Sequence, residues 1–123
     1  MYELSITADI ASAHFLKGYE GKCKNLHGHT WKIEVFIASD HLNAIGMVAD
    51  FVVLKKQLKD FLSLIDHVHL NEMPYFKVTN PTTENIARYI YEHFSKDIKP
   101  LVISKVRVWE SENTSVTYFE KNY

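Results

Sequence analysis

Hydrophobic and polar positions alternate from the start of the chain: Tyr2, Leu4, Ile6, Ala8 and Ile10 share one parity, with Glu3, Ser5, Thr7 and Asp9 between them. A period of two predicts a half-buried β-strand over residues 2–13. A second run, with Trp31, Ile33, Val35 and Ile37 in its apolar register, predicts another strand over 28–38. The period then changes. After a turn region from Ser39 to Gly46, Phe51, Leu54, Leu58, Phe61 and Ile65 recur at three- and four-residue intervals. That spacing predicts an amphipathic helix, with Asp50 as its N-cap. Pro74 and Pro81 bracket an irregular stretch, and Thr82-Thr83-Glu84-Asn85 opens a second helix with Ile86, Ile90 and Phe94 on one stripe. Beyond Pro100 the period returns to two. Val102, Val106 and Val108 fall on one side of a strand, Lys105 and Arg107 on the other, and residues 114–120 lie close enough to complete a hairpin.

The order is strand, strand, helix, helix, strand, strand (ββααββ). Grouped strands without crossover alternation predict an α+β fold, a four-stranded antiparallel sheet with two helices on one face. An open sheet of four strands has two edges to protect, by cover or by subunit association. At 123 residues and 46% hydrophobic content, the chain supports one domain spanning 1–123. Its formal net charge of -1 gives no electrostatic footprint for nucleic acid, so a small-molecule site is expected. One cysteine cannot form an internal disulfide, and no apolar stretch is long enough for a signal segment or a membrane span. The expected location is cytoplasmic.

The densest chemistry lies in Cys23-Lys24-Asn25-Leu26-His27-Gly28-His29. His27 and His29 are two apart on a strand and share the parity of the core-facing side. Continuing the first strand's apolar register through Ser12 brings in His14, provided no bulge intervenes. Three imidazoles around Zn2+ would leave one coordination position open, as catalytic zinc sites do. A pair of hydrogen-bonded strand histidines without metal is the other reading of the same spacing. Cys23 sits in a polar, glycine-containing loop where Lys22 and Lys24 favour its thiolate; it reads as a base or nucleophile, as a fourth zinc ligand, or as a small buried thiol. Asp66 beside His67 suggests a carboxylate-imidazole relay, or two groups that only satisfy a helix end. Glu110, at the end of an inward register, could hold a donor-rich heterocycle or be solvated. Thr82 and Thr83 read first as helix-start residues, and Trp31 and Trp109 as core or interface aromatics.

Together, Ser12-Ala13-His14-Phe15, the Cys23 to His29 run, Asp66-His67-Val68-His69-Leu70-Asn71, Pro81-Thr82-Thr83-Glu84-Asn85 and Glu110 resemble the 6-pyruvoyltetrahydropterin synthase family, in the right order over nearly the whole chain. The gap of three residues between Cys23 and His27-Gly28-His29 is similar to that of the family's bacterial 6-carboxy-5,6,7,8-tetrahydropterin synthase branch, which serves queuosine biosynthesis. Ser111 stands where relatives often have Thr. The resemblance implies a T-fold whose sheets close a trimeric barrel, two trimers stacking into a homohexamer with active sites at subunit boundaries. It implies His14, His27 and His29 as Zn2+ ligands, Cys23, Asp66 and His67 as catalytic groups, and Glu110, Thr82 and Thr83 as substrate contacts. The implied reaction is a carbon-oxygen lyase step on 7,8-dihydroneopterin triphosphate, giving 6-carboxytetrahydropterin, acetaldehyde and triphosphate. A 6-pyruvoyltetrahydropterin synthase and a non-catalytic zinc-binding oligomeric domain are the competing expectations. Lys22 and Lys24, clustered beside Cys23, read either as receivers of the triphosphate or as solvated loop lysines.

Overall fold

A computed structural model describes residues 1–121; Asn122 and Tyr123, the last residues of the expected domain, lie outside the described residues. Strands β1 (Tyr2–His14) and β2 (His27–Ser39) pair antiparallel without interruption, from Tyr2 opposite Ser39 to His14 opposite His27. Both are longer than the apolar alternation alone predicts. Ile6, Ile10, Trp31, Ile33, Val35 and Ile37 are buried on the inner face. Because no bulge breaks β1, Ser12 and His14 stay on that face and are buried too.

Helix α1 (Phe51–Leu62) starts where expected, the Asp50 carboxylate accepting the Val52 N–H at 2.8 Å. Leu54, Leu58, Phe61 and Leu62 are buried. Phe51 is 53% exposed rather than core, since the first turn projects beyond the packed stripe, and Ile65 is buried from the turn that follows the helix. The stretch between the prolines contains a short helix α2 (Pro74–Val78), with Pro74 at its first position and Phe76 inserted in the core. Helix α3 (Thr83–Asp97) buries Ile86, Ala87, Ile90 and Phe94. Among the described residues there are thus three α-helices instead of the expected two.

Strands β3 (Val102–Trp109) and β4 (Ser115–Tyr118) complete an antiparallel sheet of order β1-β2-β3-β4. One expectation fails here. Phe36 pairs with Lys105 but Ile37 pairs with Ile103, so Ser104 is an extra residue. The bulge reverses the parity on its far side: Ile103 is 3% exposed and Val102 63%. Val106, Val108 and the following Glu110 keep the expected inward parity. Trp31 belongs to the core, whereas Trp109 lies on the outer face between Arg107, 4.2 Å from its ring centre, and Lys32 at 5.7 Å.

Candidate metal centre

The unbroken β1-β2 register places His14 directly across from His27, with His29 one step along the same face opposite Ser12. Each of the three imidazoles offers a ligand atom, and these atoms lie within 4.8 Å of one another. Two of the rings are oriented by carbonyls. His14 Nδ1 is 2.7 Å from the Pro81 carbonyl and His27 Nδ1 is 2.7 Å from that of Asn25. A carbonyl can only accept, so both rings carry their proton on Nδ1 and present a lone pair at Nε2.

Those two Nε2 atoms stand 3.0 Å apart. Facing lone pairs repel unless a proton or another cation lies between them. Burial disfavours the protonated solution, holding the His14 imidazole below its ordinary value of 6.5 despite the Pro81 hydrogen bond. His29 is lowered for the same reason, with Glu110 pulling the other way. His29 Nε2 is buried without a hydrogen-bond partner. Three imidazole nitrogens gathered at one place, one of them orphaned, fit a metal ion. Trp31 packs against the cluster, its ring centre 4.9 Å from that of His14 and 5.1 Å from that of His29.

Glu110 extends the cluster. One carboxylate oxygen lies 3.4 Å from His29 Nε2, and the other accepts the Thr83 hydroxyl at 2.6 Å. The two adjacent threonines therefore do different things. Thr83 is buried against Glu110, whereas Thr82 caps α3, its hydroxyl accepting the Asn85 N–H at 3.1 Å.

Cys23 lies in a single helical turn, Lys22–Lys24, half-buried between two lysines, and its carbonyl accepts the Leu16 N–H at 2.7 Å. Its sulfur is not among the clustered ligand atoms. The fourth-ligand reading is therefore not supported by this placement. Asp66 and His67 do pair, His67 Nδ1 lying 3.0 Å from one Asp66 oxygen. The other Asp66 oxygen accepts the Ala11 N–H at 2.8 Å, the first cause holding this carboxyl below its ordinary 3.8. The backbone groups that this pair satisfies thus belong to the edge of β1 and not to a helix end. His67 has a positive φ of 57°, fixed by its own N–H donating to the Ala11 carbonyl at 2.6 Å. Among the described residues, no hydrogen bond or ion pair joins Asp66 or His67 to the imidazole cluster or to Cys23 within one chain.

Several groups escape sequence reasoning. The orienting carbonyls of Pro81 and Asn25 carry no side-chain signature. Ser12, read only as a step in a parity count, donates to the Ile65 carbonyl at 2.5 Å and accepts the Val68 N–H at 3.2 Å. Asn71 and Asn80 bond the backbone of Phe15 and Lys17; Asn71 figures in the sequence only as the last residue of the Asp66 motif, and Asn80, just before Pro81, carries no signal there. His41 and His93 are unrelated to the cluster, one exposed beside Asp40 and the other stacked on Tyr89.

Comparison with known proteins agrees with this arrangement. The profile of the family described as 6-pyruvoyl tetrahydropterin synthase matches residues 3–121. The human 6-pyruvoyl tetrahydrobiopterin synthase is 37% identical, covering 80% of this chain and 70% of that protein. The Haemophilus influenzae 6-carboxy-5,6,7,8-tetrahydropterin synthase is 32% identical, covering 98% of this chain and 100% of its own. Among solved structures, Caenorhabditis elegans 6-pyruvoyl tetrahydropterin synthase superimposes with a TM-score of 0.88 at 27% identity, covering 98% of this chain and 96% of that one. A profile match over nearly every residue, and a T-fold that carries the clustered histidines on its first two strands, lead to one conclusion: this chain belongs to the 6-pyruvoyl tetrahydropterin synthase family.

Proposed function

We propose that the protein is a zinc-dependent 6-carboxy-5,6,7,8-tetrahydropterin synthase, a cytoplasmic homohexameric lyase of queuosine biosynthesis that acts as a single domain over 1–123. It converts 7,8-dihydroneopterin triphosphate and water to 6-carboxytetrahydropterin, acetaldehyde and triphosphate. The observation that carries this reading is the convergence of three imidazole nitrogens beside the Glu110-Thr83 pair. His14, His27 and His29 would hold Zn2+, which when bound supplies Lewis-acid polarisation of the substrate's side-chain oxygens.

The remaining work falls to the chain's own groups. Glu110 accepts the amino and ring N–H donors of the pterin. Thr83 keeps one Glu110 oxygen occupied and so fixes how the carboxylate is turned, while Thr82 holds the helix start on which Thr83 stands. Anchoring the ring this way presents the side chain to the imidazole cluster in one orientation, an entropic gain over encounter in solution. Cys23 moves protons on the substrate side chain, with Lys22 and Lys24 receiving the triphosphate. Asp66, kept ionised by the Ala11 N–H, orients the His67 ring as its proton-exchanging partner. The His67 side chain is 80% exposed in one chain, which suits service to the site of a neighbouring subunit.

A second reading, synthesis of 6-pyruvoyltetrahydropterin, draws on the similarity to the human and nematode enzymes. Incubation of the metal-loaded protein with dihydroneopterin triphosphate separates them. Acetaldehyde with a carboxylated pterin is expected; a pyruvoyl product without acetaldehyde selects the second reading. A protein that holds metal but turns over no pterin would be a zinc-binding oligomeric domain and neither enzyme.

A further inference from the structure

We infer that Asn71 and Asn80 are positioning residues that set the Cys23 arm against the imidazole cluster, an inference that rests on the proton-transfer role proposed for Cys23. Along the last part of the free edge of β1 and its continuation, four backbone N–H groups two residues apart each have an acceptor from outside the sheet. Ala11 donates to the Asp66 carboxylate at 2.8 Å, Ala13 to the Val68 carbonyl at 2.9 Å, Phe15 to Asn71 Oδ1 at 2.9 Å and Lys17 to Asn80 Oδ1 at 3.0 Å. The last two are beyond the reach of the sheet. β1 ends at His14 opposite His27, where β2 begins, so residues 15–17 have no strand partner.

The asparagines replace that strand. Each returns its amide N–H to the carbonyl of the residue it already accepts from, Asn71 Nδ2 to Phe15 O at 3.0 Å and Asn80 Nδ2 to Lys17 O at 3.0 Å. Two-point capture of one residue's N–H and C=O needs a donor and an acceptor at amide spacing. Aspartate at neutral pH supplies only acceptors and leucine supplies neither. Between the clamped residues, Leu16 uses its N–H on the Cys23 carbonyl at 2.7 Å. The clamps hold residues 15 and 17, and residue 16 holds the cysteine arm. Asn80 is itself fixed, its carbonyl accepting the Thr82 N–H at 2.8 Å and Asn85 Nδ2 at 2.9 Å. The start of α3, which seats Thr83 on Glu110, and the arm of Cys23 therefore share one anchor.

The test uses the full-length, metal-loaded protein with Asn71→Leu and Asn80→Leu, which remove the clamp, and Asn71→Asp and Asn80→Asp, which remove only its donor. Cys23 is the single thiol of the chain, so its alkylation by iodoacetamide reads the arm directly, without turnover. Expected are a kcat lower by about tenfold or more with KM within about twofold, a Cys23 alkylation rate shifted by about threefold or more, and metal content and circular dichroism like those of the parent. Folded, metal-loaded variants with parental alkylation and kcat overturn the inference. If the leucine variants do not fold, the aspartate variants decide by the same two readings; loss of folding in both pairs overturns it in favour of a structural role alone. Turnover by Cys23→Ala would end the catalytic reading of Cys23, while the alkylation rates would still decide whether the clamp exists.

Discussion

An imidazole whose Nδ1 is tied to a carbonyl has one nitrogen left to offer, and His14 and His27 offer theirs to the same point. Removing one of them should abolish tight metal binding. His27→Ala is expected to lose metal on dialysis, measured by plasma mass spectrometry, whereas Cys23→Ala retains it and loses turnover; metal loss in the cysteine variant would contradict its separation from the cluster. Asp66 gives a pH signature. Its folded-state carboxyl is held below the ordinary 3.8, first by the Ala11 N–H. The folded chain therefore binds this proton less tightly than the unfolded chain, so the stabilisation is present above the ordinary value and is lost as pH falls through the folded one. Urea unfolding should show Asp66→Asn less stable than the parent at neutral pH, the gap closing as the pH falls below the ordinary carboxylate value; a pH-independent gap would show that charge is not the cause.

At the scale of elements, the start of α3 separates two residues that sequence treats alike. Thr82 satisfies an otherwise unpaired helix N–H, and Thr83 turns inward to Glu110. Thr82→Ala should lower the unfolding free energy by about 1 kcal/mol, the usual worth of such a cap. Thr83→Val conserves shape, so it is expected to leave the urea midpoint nearly unchanged while raising KM for the pterin severalfold. Equal effects of the two substitutions on KM would remove the distinction. The strands show the same limit on local reading. Period two continues correctly to His14 because β1 has no bulge, yet fails at Val102 because Ser104 intrudes on one side only. A single extra residue moves every later side chain to the opposite face, and its own identity gives no warning.

For the whole molecule, the proposed hexamer answers a question that one chain leaves open, since no hydrogen bond or ion pair joins Asp66-His67 to Cys23 within the described residues. If they meet across a boundary, two inactive variants should complement each other. Cys23→Ala and His67→Ala, unfolded together in equal amounts and refolded, should regain about a quarter of parental turnover, because random assembly unites an intact cysteine with an intact neighbouring histidine at that frequency. Mixtures as inactive as either variant would place both groups in one subunit. By itself the sequence determined the faces of β1 and β2, the buried stripes of α1 and α3 beyond their first turns, the shared parity of His14, His27 and His29, and the cap at Asp50, because each follows from spacing along a regular backbone. Tertiary structure alone decided that Glu110 meets Thr83 and His29, that Asp66 closes the edge of β1, and that Asn71 and Asn80 extend it. Those contacts join residues 27 or more apart in sequence, and no local period records which distant backbone group a side chain will find.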